Sequence, residues 1–325
     1  METFKKMIHI IKRVESDNVS LYLLFKNNNT KQNHLPKWAI YKMKTTTDLS
    51  KDILNINTNF LKKTINIKSL DIVEYSPGPN TDNIVEKSNV DNLPKFNEIK
   101  DLLTRTATPL PTNSKVKYYK PIAYIFKLDT FINDIHEKSI VTFQYLVQQN
   151  TLKKGRIIGR SDDTFRRMEN DLYYIGPNLD ALYCENIINN EEIYMYIFNK
   201  QHIDWIFGFG DVFKEEIKTI FNENEEKYGK IINVNDLTNF VLADYQFVRK
   251  TYKVLKNGSF EKYFNKETIL KVEKEAKISK LKWESEKLVV NEENVKKILN
   301  ICNEDYLKSV VSDNVFRSLS KTSIG

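Results

Sequence analysis

Apolar positions in this chain come in two rhythms. The first is a series of short runs rich in β-branched and aromatic residues, bounded by turn-formers. Ile8–Val14, Leu21–Phe25, Trp38–Met43, Leu70–Tyr75, Ile122–Leu128, Ile140–Leu146, Leu172–Ile175 and Ile193–Phe198 read this way, and each predicts a strand. Asn27–Asn29, Ser76–Pro79 and Gly176–Asn178 supply the turns. The second rhythm is helical. Leu49, Ile53, Ile56 and Phe60 fall on one face of a helix to Leu61, with Asp48 as its expected cap. Phe96–Leu103 and Phe213–Phe221 read as further helices.

The strongest helical pattern lies between Leu237 and Lys287. Leu237, Val241, Tyr245, Val248, Tyr252 and Leu255 alternate in spacings of four and three, which makes one apolar stripe on one helix. Asn235 or Asp236 is the expected cap, and Asn257, Gly258 and Ser259 are the expected stop. A second helix is expected from about Lys266. It would carry Ile269, Val272 and Ala276 on one side and Lys271, Lys274 and Lys277 on roughly the opposite one.

Strands therefore crowd the N-terminal and middle regions, and helices the last third. That segregation predicts an α+β fold and not a doubly wound parallel one. Thr106–Ser114, stiffened by Pro109 and Pro111, is the expected linker. It suggests an N-terminal α/β region over 1–112 and a second region over 113–325, with basic helices at 236–287.

Charge sharpens this picture. The 325 residues carry a net charge of +7. Between Tyr245 and Lys287 stand 12 Lys and Arg against 6 acidic residues, and between Lys153 and Arg167 stand 6 against 2, so the positive charge is concentrated. Phosphates are held by Lys and Arg without reading base identity. The expected DNA-contacting residues are Lys153, Lys154, Arg156, Arg160, Arg166 and Arg167 in the first tract. In the second they are Arg249, Lys250, Lys253, Lys256, Lys271, Lys274, Lys277 and Lys280. Nearby Tyr245, Tyr252 and Trp283 are read as core rather than base-stacking platforms. The competing reading of both tracts is a solvated lysine face partly neutralised by Glu267, Glu273 and Glu275.

The sequence carries no convincing catalytic constellation. His9, His34, His136 and His202 are scattered, and none has metal-ligand spacing to Cys184 or Cys302. His202 and Asp204 sit two apart, a spacing that in a strand could orient an imidazole but is common by chance. No phosphate-binding glycine loop or nucleophile elbow occurs. Asp211, Glu216 and Lys218 have a nuclease-like order, but Glu216 and Lys218 diverge if both lie on one helix. The expectation is no catalytic residue, no metal and no cofactor. The apolar run Met7–Ile11 is too short for a signal peptide, and no stretch approaches the ~20 apolar residues of a membrane span.

One resemblance adds to this. Phe247, Val248, Arg249 and Lys250, then Asn257, Gly258, Ser259 and Phe260, a Lys-rich helix, and the end Tyr306–Ser309 with Phe316–Lys321 resemble KwaB proteins of the Kiwa anti-phage system. The resemblance covers the last third well and the middle loosely, and nothing before about residue 112. It implies a cytosolic DNA-binding defence effector, held at the inner membrane by a multi-pass partner resembling KwaA. A homodimer stays open. The alternatives are a metal-dependent nuclease of a defence or mobile-element system, and a scaffold whose basic face meets an acidic protein.

Overall fold

A computed structural model describes residues 1–27, 38–76, 83–105, 119–146, 156–161, 164–168, 173–186, 188, 192–276, 278–308 and 315–317. The chain divides into two compact units. One comprises residues 1–75 and 82–207, the other residues 76–81 and 208–325.

The first unit runs α1 (Glu2–Ile11), β1 (Val19–Asn27), β2 (Trp38–Thr45), α2 (Thr47–Ile65), β3 (Asp71–Glu74), β4 (Ile84–Asn89), α3 (Phe96–Arg105), β5 (Tyr119–Ile132) and β6 (Ile135–Tyr145). It continues with β7 (Arg156–Ser161), β8 (Thr164–Met168), β9 (Tyr173–Ile175), β10 (Ala181–Asn186), β11 (Tyr194–Ile197) and α4 (Lys200–Phe207). Its strands form one sheet in the order β3-β4-β11-β10-β6-β5-β1-β2-β8-β7-β9. Neighbours are antiparallel except β3–β4 and β2–β8. Helices cover both faces. Phe4, Met7 and Ile11 of α1 and Leu49, Ile53 and Leu61 of α2 pack with Leu21, Leu23, Tyr124 and Phe126 of the sheet. On the other face Phe96 of α3 and Phe207 of α4 meet Tyr183 and Phe143 edge-on or tilted. This double cover is why Ile122–Phe126 is apolar at every position, not at alternate ones.

Two of these expectations are corrected by the structure. Ile8–Val14 is not a strand: Ile8–Ile11 is the end of α1, whose buried Phe4, Met7, Ile10 and Ile11 keep helical spacing. An apolar run cut from the end of a helix cannot be told from a strand. The cap of α2 is Thr46, whose hydroxyl accepts the Leu49 N–H; Asp48 sits in the first turn, where its charge meets the helix dipole. The expected linker Thr106–Ser114 lies outside the described residues, and the strands before and after it, β4 and β5, belong to the same sheet. The α+β class holds, with the eleven-stranded sheet in the first unit and only two-stranded pairings in the second among the described residues.

The second unit contains α5 (Phe209–Glu223), α6 (Glu225–Tyr228), α7 (Val234–Ala243), α8 (Tyr245–Lys256), α9 (Ser259–Tyr263), α10 (Lys266–Glu275), β12 (Trp283–Glu284), β13 (Lys287–Leu288), α11 (Glu292–Cys302), β14 (Tyr306–Lys308) and β15 (Val315–Arg317). The stripe predicted as one helix is broken at Asp244. That residue is extended, ends α7 and caps α8 by accepting the Gln246 N–H. Asn233 caps α7, in place of the expected Asn235 or Asp236. The stripe still faces inward: Leu237, Val241, Val248 and Tyr252 are buried, with Tyr252 stacked on Phe213 at 4.1 Å. Gly258, at φ +72°, starts the turn out of α8 in a conformation that suits glycine.

Candidate nucleic-acid interface

The two basic tracts fall in different units. In the first, β7 and β8 form an antiparallel ribbon with Arg166 opposite Gly159 and Arg167 opposite Ile158, while Arg156 pairs with Ile175 of β9. The glycine-punctuated stretch is thus strand backbone carrying Arg156, Arg160, Arg166 and Arg167. Lys153 and Lys154 lie outside the described residues.

In the second unit the basic residues separate into two groups. Some are already engaged within the protein. Lys250, on α8, donates to Asp305 at 2.7 Å and to Asn300; Asp305 is almost fully buried and Lys250 itself is about a quarter exposed. Lys256 reaches Glu216 at 3.0 Å and lies over the Tyr252 ring, and its hydrogen bond to Glu216 raises its pKa above the ordinary lysine value. Arg249 is half-buried with its guanidinium over Tyr245 at 6.0 Å. The rest are turned to solvent. Lys271 and Lys274 lie on α10 opposite buried Ile269, as the pattern predicted. Lys280 is also exposed, Lys253 half so, and none of these four forms an ion pair among the described residues. Lys277 lies outside the described residues. The structure adds exposed Lys266, Lys282 and Lys287, which surround the β12–β13 hairpin. Only the spacing of Lys280, Lys282 and Lys287 around Trp283 hinted at them.

The suspected carboxylate cluster is not assembled. Glu216 is taken by Lys256 and Tyr252, and Lys218 pairs with Glu215 at 2.8 Å. No group of three or more metal-ligating side chains occurs among the described residues. Cys302 is buried and its thiol is pushed up to about 12, so it stays protonated at neutral pH.

One constellation escaped the sequence reading. His202 and Asp204 lie on helix α4, not on a strand, and serve different partners. Asp204 accepts the Tyr75 hydroxyl at 2.7 Å. His202 Nδ1 lies 2.7 Å from Asp180 Oδ1, and the second Asp180 oxygen accepts the Tyr145 N–H. The Tyr145 ring stacks on the imidazole at 4.8 Å. Beside them, buried Lys200 and Glu86 pair at 2.6 Å. Partners 22 and 114 residues apart leave no local signal in the sequence.

No helix among the described residues is long and apolar enough to cross a membrane. Comparison with known proteins found no match among curated proteins and none among solved structures. One family description matches, Kiwa protein KwaB-like, over residues 120–312. That span opens at β5, includes the β7–β8 ribbon and every helix from α4 to α11, and stops short of the expected motif at Phe316–Lys321. With more than half its length matched, the chain belongs to the KwaB-like family, and it is a component of the Kiwa anti-phage defence system.

Proposed function

We propose that this protein is the DNA-binding effector of its defence system, gripping the phosphate backbone with little sequence preference and without chemistry of its own. The observation that carries the reading is the sorting of lysines in the second unit. Lys271, Lys274 and Lys280 are exposed, Lys253 is half-exposed, and none of the four forms an ion pair among the described residues. A lysine held by a carboxylate has little charge to offer a phosphate; one turned to solvent can release a condensed counterion from DNA. The β7–β8 ribbon adds four arginines, Arg156, Arg160, Arg166 and Arg167, along strand backbone in the other unit.

The same reading includes recruitment to the membrane by a multi-pass partner resembling KwaA, supported by family membership and by the lack of a spanning helix among the described residues. A mobility shift with and without magnesium or manganese, followed by inspection of the DNA, tests binding and cutting together. Salt-sensitive retention of intact DNA in both conditions is expected. Divalent-dependent cleavage would promote the nuclease reading. For the partner, fractionation decides: the protein alone should leave acidic vesicles at physiological salt, and co-expressed with a neighbouring multi-pass protein it should pellet with membranes.

A further inference from the structure

We propose that Trp283 is a stacking platform for an unpaired base, so that the lysine surface of the second unit takes single-stranded DNA in preference to duplex. This rests on the DNA-binding reading and specifies the form of DNA bound.

The sequence pattern suggests that Trp283 is a core residue, yet its side chain is partly exposed. Trp38 is fully buried, whereas Trp283 is only partly covered, and its indole N–H has no protein partner among the described residues. It opens a hairpin of two-residue strands, β12 and β13. Ser285 and Glu286 make the turn, both left-handed at φ 47° and 69°. A two-residue hairpin turn requires that conformation, which non-glycine residues adopt at a cost.

The surroundings are specific. Asn294, 1% exposed, accepts the Lys282 N–H and donates to the carbonyls of Lys282 and Val289, clamping both ends of the hairpin. Leu288, opposite Trp283, is buried and donates its N–H to Ile231. Glu273 of α10 accepts the Leu281 N–H. Three separate attachments therefore hold a short ribbon whose first side chain is a partly exposed indole. A rigid, pre-placed ring loses little entropy when a planar ligand stacks on it.

The charges around it fit a strand of phosphates. Lys266 lies over the indole at 5.5 Å. Lys271, Lys274, Lys280 and Lys282 are exposed, and none forms an ion pair among the described residues. Glu284 and Glu286 stand at the turn, so the phosphate path favoured by charge runs on the α10 side of the ring. A duplex keeps its bases stacked on each other and has none to give Trp283; a single strand does.

The test uses the full-length protein with a thirty-residue oligo-dT and a mixed-sequence duplex of the same length. Oligo-dT should quench tryptophan emission and duplex should not, and the quench should vanish in Trp283→Phe while oligo-dT binding is largely kept. Trp283→Leu should weaken oligo-dT binding about tenfold or more and leave duplex binding within twofold. Equal loss on both forms, or unchanged oligo-dT binding in a variant that melts like the parent, overturns the proposal. Should the leucine variant fail to fold, the quench in the parent and its loss in Trp283→Phe still decide. Duplex retention that depends on Lys271 and Lys274, with no preference for oligo-dT, would sink the platform and leave the DNA-binding reading standing. Retention of neither form would end both.

Discussion

Replacing Lys250 by methionine separates a structural lysine from a DNA-contacting one. The change keeps most of the aliphatic stem and removes the ammonium. In the parent that ammonium donates to Asp305 at 2.7 Å and to Asn300, tying α8 to the end of α11. The Asp305 side chain is only 2% exposed, so without the ammonium a carboxylate is left in a poor dielectric. Breaking a fully buried pair costs 3–5 kcal/mol; Lys250 is 26% exposed, and Asn303 still donates to Asp305 at 2.6 Å. A loss of roughly 2–3 kcal/mol follows, which for a unit of this size lowers the midpoint of thermal unfolding by roughly 10 °C. Denaturant and thermal unfolding followed by circular dichroism measure it. Asp305→Asn made in the Lys250→Met background should recover part of the loss, since the stranded charge is gone. DNA retention, measured cold where every variant is folded, should match the parent. A Lys250→Met protein that melts like the parent but has lost DNA affinity would refute the reasoning and return Lys250 to the DNA surface.

Three further outcomes are expected. Val248 is fully buried on α8, so Val248→Asp should give insoluble or unfolded protein on expression; normal solubility and melting would mean the stripe faces solvent. Thr46→Ala removes the cap of α2 and should cost about 1 kcal/mol by denaturant unfolding, whereas Asp48→Ala should cost less. The Arg13 hydrogen bond holds the Glu137 carboxyl below the ordinary glutamate range, so the stability it adds is complete above that range and is lost as pH falls through it. Glu137→Gln should therefore flatten the decline in stability between roughly pH 5 and 3, and an unchanged decline would mean the pair contributes nothing.

What the sequence made legible was period and segregation. β2, β5, β6 and α5 lie where the apolar runs place them, because sheet cover on both faces and a helix stripe each leave a local signature. α1 is hidden because Phe4, the first buried residue of its helical stripe, lies outside the continuous apolar run and the rest of the stripe reads equally as a strand. The break at Asp244 was hidden because the stripe continues in phase across it. Pairing was the larger loss. Lys250 finds Asp305 55 residues on, and His202 finds Asp180 22 residues back, so neither partner could be named beforehand. The β12–β13 hairpin turns at Ser285 and Glu286, with no glycine or asparagine to announce it. The exposed lysines of α10 were readable because helical geometry alone sets which side faces away from Ile269.

The most direct test of the account is the slope of log affinity against log salt for DNA binding by the parent and by Lys271→Glu/Lys274→Glu/Lys280→Glu. All three side chains are exposed and outside every ion pair among the described residues, so the variant should melt like the parent. Each lost phosphate contact lowers the steepness by up to about 0.9 on duplex or about 0.7 on a single strand, so the variant should bind more weakly with a slope shallower by about 2. A folded variant with the parent's affinity and slope would contradict the claim that this lysine surface grips DNA.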